Sequence, residues 1–183
     1  VERMHNQVVL TLLDGLVAQA GVDRRELDAV AFGAGPGSFT GVRLAASVAQ
    51  GVAFGAGAVV CPVSSSRAMA LAWQRARHPG ETMAVVTVTR SRRDAYYLAA
   101  WRVPADGMPV RLLDDLLHQG EATPESLPAD LPGVGDPAPW WPDGRPFDGG
   151  IAVTGRIVGE LGLDALRAGE GVAPAEAFPV YVQ

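Results

Sequence analysis

The segment whose residue types and spacing best suit binding chemistry is the glycine-rich run from Gly33 to Gly41 (GAGPGSFTG). It lies between a short apolar run that predicts a buried strand and an apolar pattern that predicts a helix. Backbone N–H groups at the start of a helix attract anions, so the run predicts an anion site made of backbone and hydroxyl groups. A tight turn, with glycines at positive φ and Ser38 or Thr40 capping the helix, explains the same residues. Both interpretations stay open at this point.

Common catalytic arrangements do not fit the sequence. The run matches neither G-x-x-x-x-G-K-[ST] nor G-x-G-x-x-G, and the 183 residues include no lysine. His5, His78 and His118 lack the spacing of about four residues that places two helical histidines on one face, so no metal site is predicted. Ser38 is not in a G-x-S-x-G nucleophile elbow. Cys61 lies in an apolar run and is predicted to be a small buried side chain.

Charged residues give weaker signals. Asp94 and the pair Asp114-Asp115 match no catalytic spacing and are predicted to lie on a solvated surface. The arginines at 90, 92 and 93 are predicted to share one hairpin loop. Such a loop is either a solvated turn or a basic spot that contacts RNA inside a complex.

Composition and charge exclude several protein classes. Hydrophobic residues make up 48% and charged residues 19%, which excludes global disorder. The single cysteine excludes a disulfide framework, and the absence of lysine excludes Schiff-base chemistry. A net charge of -5 argues against nucleic-acid binding by the chain alone. The longest low-polarity stretch, residues 51–63, falls short of the roughly 20 residues that span a membrane, and no secretion signal is evident, so the expected compartment is the cytoplasm.

Apolar periodicity predicts an α/β fold with an N-terminal lobe over residues 1–80 and a mixed C-terminal lobe over 81–183. Helices are predicted over residues 8–20, 40–54, from the serine cap at 64–66 to about 77, and 151–168. Strands are predicted over 29–33, 59–63, 82–89, 94–103 and 109–113. We also expect a short helix beginning at Thr123-Pro124-Glu125 and a strand fragment after it. The chain is expected to close with an edge strand over 178–182.

The string from Gly33 to Ala45 (GAGPGSFTGVRLA), followed by Val48 to Gly55, resembles the TsaB (YeaZ) family. The resemblance extends to the first helix, to Cys61-Pro62-Val63-Ser64 and to the C-terminal Pro179-Val180-Tyr181-Val182, so it covers nearly the whole chain. It implies the two-lobed fold of actin, sugar kinases and Hsp70 (the ASKHA fold). Members of the family begin with a strand and a hairpin ahead of the first helix, and these are expected to be missing here. Ala34, and Thr89 and Arg93 in the hairpin, depart from the family pattern.

For function, the resemblance implies a non-catalytic scaffold in making N6-threonylcarbamoyladenosine on tRNA. TsaD would carry the metal and the transfer chemistry, the TsaE ATPase would join it, and TsaC-type enzymes would supply threonylcarbamoyl-AMP. The chain would need no cofactor of its own, with ATP or ADP bound only at the complex interface and tRNA reached only through the complex. The alternatives are an independent nucleotide-binding enzyme of the kinase superfold and a glycoprotease-like peptidase.

The resemblance also implies that the first two helices pair with their counterparts on TsaD, or with a second copy of the chain when TsaD is absent. The candidate interface consists of an apolar stripe and a small-residue face: Val9, Leu12, Leu13, Leu16, Ala45, Val48, Ala49 and Val52. Alternatively, both faces pack on the sheet, and some of each is expected. The motif loop, structural or anion-binding, comprises Gly35, Pro36, Gly37, Ser38, Phe39, Thr40, Gly41 and Arg43.

Overall fold

The computed structural model describes residues 5–92 and 94–182. The first half of the chain forms three helices and two strands, with a 3₁₀ turn at Arg24–Glu26 between the first helix and the first strand. In chain order these are α1 (His5–Ala20), β1 (Ala29–Gly35), α2 (Phe39–Ala56), β2 (Val59–Ser64) and α3 (Ser65–Arg77). β1 and β2 pair in parallel from Ala29↔Val59 onward, as expected for strands joined by a crossover helix.

The second half forms a five-stranded sheet and a further helix. Its elements are β3 (Met83–Arg92), β4 (Ala95–Val103), β5 (Val110–Gln119), β6 (Gly133–Gly135), β7 (Phe147–Asp148) and α4 (Gly155–Arg167). The strand order is β5-β4-β3-β6-β7, with antiparallel pairs among β3, β4 and β5 and parallel pairs from β3 through β6 to β7. α4 packs back against β1 and β2, so the two halves share a core.

Helix boundaries follow the capping residues. The Ser38 hydroxyl accepts the Gly41 N–H at the start of α2, and Gly57 ends that helix in the left-handed conformation. Ser64 caps α3 in the same way. Of the two caps predicted for α2, the structure therefore uses Ser38. α4 begins at Gly155 rather than at residue 151, because Thr154 is its cap.

Three clusters of buried side chains form the core. The first lies between α2 and the β1–β2 pair and is built mainly from small residues, including Ala46, Ala49 and Ala53. The second joins both sheets to α3 and α4 around Leu71 and Leu161. The third packs the other face of the larger sheet against loop residues that include Trp140.

Several local predictions were wrong. Residues 178–182 form no strand: Pro179 lacks an N–H, and one main-chain bond, Val180 N–H to Ala34 O at 2.8 Å, ties the segment down. Residues 123–125 form no helix; they lie in a loop, and the Thr123 hydroxyl donates to Trp140 O at 2.8 Å.

The larger sheet also extends further than predicted. β3 runs on to Arg92, so Arg90 and Arg92 lie in the strand and not in a hairpin loop; residue 93 lies outside the described residues. β5 continues to Gln119, because its second half pairs with β4 from Leu98↔Leu116 to Ala95↔Gln119.

Candidate functional site

The motif loop is held in place by the C-terminal segment. Gly35 has φ of 109°, and a Cβ there would lie 2.9 Å from the carbonyl oxygen of Val180, so only glycine fits. Residues 34–36 are buried, whereas Ser38, Phe39 and Thr40 are exposed. The glycine content of the loop therefore has a packing reason as well as a conformational one.

In the first turn of α2, two backbone N–H groups already have acceptors within the turn. The Gly41 N–H points to the Ser38 hydroxyl at 3.5 Å, and the Val42 N–H donates to Ser38 O at 2.9 Å. These contacts support the structural interpretation of the loop. Anion binding by the loop stays a prediction.

Arg43 connects the motif to the end of the chain. Its guanidinium lies 3.5 Å from the centre of the Phe39 ring, and its Nε–H donates to Tyr181 Oη at 2.9 Å. Phe39 and Arg43 are one helical turn apart, a spacing that brings side chains together. Sequence reasoning missed Tyr181, since it is 138 positions away from Arg43 and no local pattern links the two.

Seven of the eight candidate interface residues line a groove of about 850 Å³ between α1, α2 and β1. Lining it are Val9, Leu12, Leu13, Ala45, Val48, Ala49 and Val52, together with Ser38, Thr40 and Gly41 of the motif loop. Leu16 does not line the groove and is 62% exposed. The groove thus brings the two predicted faces and the start of the motif helix into one surface.

The alternative, that both faces pack on the sheet, holds for part of α2 only. Ala49 is buried in the core together with Ala46 and Ala53. None of residues 8–20 in α1 is buried among the described residues, and Leu12 is as exposed as Leu16. The apolar stripe of α1 is therefore not core in this structure.

Asp115 was predicted to lie on a solvated surface, and this was wrong. Burial raises the pKa of its carboxyl, although a hydrogen bond from Ser66 and the charge of Arg111 lower it in part. Its Oδ1 atom has no hydrogen-bond donor among the described residues. The expected strand pattern gave no sign of this burial, because it ended at residue 113.

The other candidate chemical groups are dispersed. Cys61 is fully buried, and burial, followed by the charge of Glu170, raises the pKa of its thiol. His78 packs on Trp73 with ring centres 4.6 Å apart, and the His118 Nε2 lies 2.9 Å from Ala122 O. Within residues 5–92 and 94–182, no group of three His, Cys, Asp or Glu side chains is placed to hold a metal ion.

None of the helices described is both long enough and apolar enough to cross a bilayer.

The fold matches solved structures over almost its full length. A Pseudomonas aeruginosa protein described as uncharacterized, with similarity to peptidase YEAZ, has a TM-score of 0.85 and 29% identity, covering 100% of this chain and 86% of that one. YeaZ from Pseudomonas aeruginosa has a TM-score of 0.79 and 28% identity, covering 97% and 86%. The mixed α/β architecture is therefore that of the ASKHA class, as the sequence resemblance implied.

Sequence comparison then gives the family. The family model "TsaD: tRNA N6-adenosine threonylcarbamoyltransferase" matches residues 1–105. The chain belongs to this family, and its relatives place it with the TsaB (YeaZ) proteins, which confirms the resemblance.

Two of these relatives are named "tRNA threonylcarbamoyladenosine biosynthesis protein TsaB". The one from Haemophilus influenzae is 49% identical over 71 residues, which are 39% of this chain and 30% of that protein. The one from Escherichia coli is 28% identical over 195 aligned residues, covering 99% of this chain and 81% of that protein. The stronger identity is thus confined to a short segment, whereas the weaker one covers the chain.

Proposed function

We propose that this chain is a non-catalytic scaffold subunit for the transfer of threonylcarbamoyl to adenosine 37 of tRNA. TsaD is its partner in this proposal, TsaE joins the complex, and tRNA is reached only through the complex. ATP or ADP binds only at the complex interface, so the chain holds no cofactor of its own. The names of the two TsaB relatives and the TsaD family model support this assignment.

The observation that carries the proposal is the uncovered apolar stripe of α1. A surface helix normally buries its apolar face, and burying a leucine side chain stabilises by roughly 1.5–3 kcal/mol. Leu12 and Leu16 are 62% exposed on one side of α1, and the small face of α2 lies across the groove. Two helices of a partner would bury both surfaces together, which is the arrangement that the family resemblance implies.

The non-catalytic part of the proposal is supported by the positions of the nucleophile candidates. The Ser38 hydroxyl caps α2, Cys61 is buried, and both His78 and His118 are engaged elsewhere. A serine or cysteine nucleophile needs a base within about 3 Å. These contacts favour a scaffold over the peptidase alternative.

Binding to the cognate TsaD tests the interface directly. Isothermal titration calorimetry should detect a complex at micromolar concentration with the wild-type chain. Leu12→Asp should weaken it by at least about 10-fold, because a carboxylate would be desolvated in the apolar interface. Its circular dichroism spectrum and urea midpoint should stay close to those of the wild type, since Leu12 contributes little to the core.

Thr11→Asp is the matched control, because it adds the same charge to an exposed position next to Leu12 on α1. It should bind TsaD like the wild type. No complex with the wild-type chain would overturn the proposed function. Unfolding of Leu12→Asp would show that the stripe is core, and equal losses in both variants would show that only the added charge matters.

A further inference from the structure

A cluster on the exposed side of the motif helix is not used by the groove. Phe39, Arg43 and Tyr181 form this cluster, called here the Arg43 platform. Phe39 is 60% and Tyr181 52% exposed, and Arg43 is exposed as well. Two large aromatic rings and an arginine left in solvent are unusual for a surface with no partner, because aromatic residues and arginine are enriched in protein interfaces.

The guanidinium of Arg43 is already oriented for a ligand. One face stacks on the Phe39 ring and its Nε–H is bound to Tyr181 Oη, so the side chain has lost much of its rotational freedom. No ion pair joins Arg43 to a carboxylate of the described residues. The two terminal NH₂ groups can therefore donate side by side to one carboxylate, the bidentate geometry that arginine favours.

The platform rests on a fixed support. The C-terminal segment that carries Tyr181 is tied to β1 by the Val180–Ala34 main-chain bond and to α2 by the bond from Gln50 Nε2 to Ala177 O at 3.2 Å. Ala177 itself is fully buried. An arginine held this firmly loses little further entropy on binding, which strengthens its contribution to an interface.

The chemistry of the platform favours a protein carboxylate over a nucleic-acid phosphate. Nucleic-acid sites gather several cations along the backbone, whereas Arg43 is the one cation stacked on these rings among the described residues, on a chain with net charge -5. One arginine between aromatic rings is instead the composition of a protein–protein hot spot. The platform is also continuous with the groove, because Thr40 and Gly41 of the same helical turn line it.

We propose that the Arg43 platform binds an Asp or Glu side chain of the protein that occupies the α1–α2 groove. This inference rests on the proposed function, since that protein is taken to be TsaD. Phe39 and Tyr181 position the guanidinium, and the partner carboxylate completes the bidentate pair. The groove then supplies apolar burial, while the platform fixes the orientation of the partner through one charged contact.

Calorimetric titration of the cognate TsaD with variants of the full chain tests the platform. Arg43→Ala should raise the Kd by about 10- to 100-fold, the loss typical of an interfacial hot spot. Arg43→Lys should lose a similar factor, because an ammonium group has no planar fork. The wild-type Kd should rise with ionic strength more steeply than that of Arg43→Ala.

Two further variants test whether the orientation of Arg43 matters and whether the loss of any exposed arginine would have the same effect on the Kd. Tyr181→Phe removes the hydroxyl that orients Arg43 and keeps the ring, so it should raise the Kd by a smaller factor and leave the salt dependence in place. Arg156→Ala is the matched control: this exposed arginine lies on α4, paired with Glu160 at 3.2 Å, and its loss should leave the Kd unchanged. If Arg43→Ala fails to fold, Arg43→Lys decides the question.

An unchanged Kd for a folded Arg43→Lys or Arg43→Ala overturns this inference and leaves the scaffold proposal standing. Absence of any wild-type complex overturns the scaffold proposal itself, so the two failures are distinct. A third outcome is that Arg43→Ala binds TsaD normally but the assembled complex retains tRNA less well. That result would indicate that Arg43 binds an RNA phosphate and not a carboxylate of TsaD, and it would also overturn the inference.

Discussion

At Gly162 the helix α4 lies directly against β1. A Cβ at this position would overlap the Cβ of Ala31, and it would also lie 3.6 Å from the Cα of Ala31 and 3.7 Å from the Cβ of Cys61. Gly162→Ala should therefore push α4 away from the sheet and destabilise the protein by about 1–3 kcal/mol, the usual cost of overpacking. The free energy of unfolding from urea titration measures it.

Gly159→Ala on the same helix is the control. Gly159 is exposed, and a Cβ there would meet nothing within 4 Å. Alanine should stabilise the helix at this position by about 1 kcal/mol. A loss of stability at both positions would contradict the close contact between α4 and β1 and would indicate a general intolerance of α4 to substitution.

Asp115 should make stability depend on pH. Burial raises the pKa of its carboxyl, so the folded protein binds this proton more tightly than the unfolded chain does. The resulting loss in the free energy of unfolding is absent below the ordinary carboxyl pKa of about 3.9. It grows as pH rises from there through the raised pKa. Asp115→Asn should therefore be more stable than the wild type at pH 7, and the difference should vanish near pH 3. Urea midpoints across this range test it.

The pKa of Asp148 is shifted in the opposite direction to that of Asp115, so its effect on stability should have the opposite sign. The hydrogen bond from Arg77 Nε–H, at 2.7 Å, is the main reason that the pKa of this carboxyl lies below its usual value. Its stabilising contribution is present above the unfolded-state pKa and is lost as pH falls, so Asp148→Asn should be less stable than the wild type at pH 7. If Asp115→Asn also loses stability at pH 7, its ionised form is favoured by Ser66 and Arg111 more than burial opposes it.

At the scale of elements, α1 should mediate self-association when no partner is present. Its apolar stripe is exposed and the groove beside it is open, so a second copy can bury the same surface. Sedimentation velocity should show the isolated chain as a dimer at micromolar concentration and Leu16→Asp as a monomer. Thr11→Asp should remain a dimer. A wild-type monomer up to high concentration would contradict this prediction.

Local patterns predicted those elements whose signals are themselves local. The apolar spacing of α1, the Ser38 and Ser64 caps and the burial of Cys61 each depend on neighbours within a few positions. The segment at 123–125 differs from the prediction: it forms a loop whose Thr123 hydroxyl donates to Trp140 O, 17 positions away. Sequence periodicity contains no information about such a partner.

In the candidate site, too, the features with local sequence signals were predicted and those that depend on distant residues were missed. The motif loop and both helix faces were evident from residue type and spacing, and seven of the eight interface candidates line one groove. Tyr181 and Asp115 were missed, because their roles arise only when residues far apart in sequence meet. The spacing of Phe39 and Arg43, one helical turn apart, was the single local clue to the platform.

At the scale of the whole molecule, the C-terminal elements pack against the strands of the first half. α4 covers β1 and β2, Val172 bridges Val60, and the last residues hold the motif loop. Arg67 of α3 adds an ion pair to Asp164 of α4 at 3.0 Å. The surfaces proposed to bind partners therefore lie on a framework to which both halves contribute, while the stripe of α1 remains uncovered.

The measurement that tests the scaffold function most directly is formation of N6-threonylcarbamoyladenosine in a reconstituted reaction. It would contain the cognate TsaD and TsaE, threonylcarbamoyl-AMP, ATP and an unmodified tRNA, with and without this chain. The modified nucleoside should form when the chain and TsaD are both present, and the chain should yield none when TsaD is omitted. Equal product with and without the chain, or product from the chain without TsaD, would contradict the role proposed here, that of a non-catalytic scaffold.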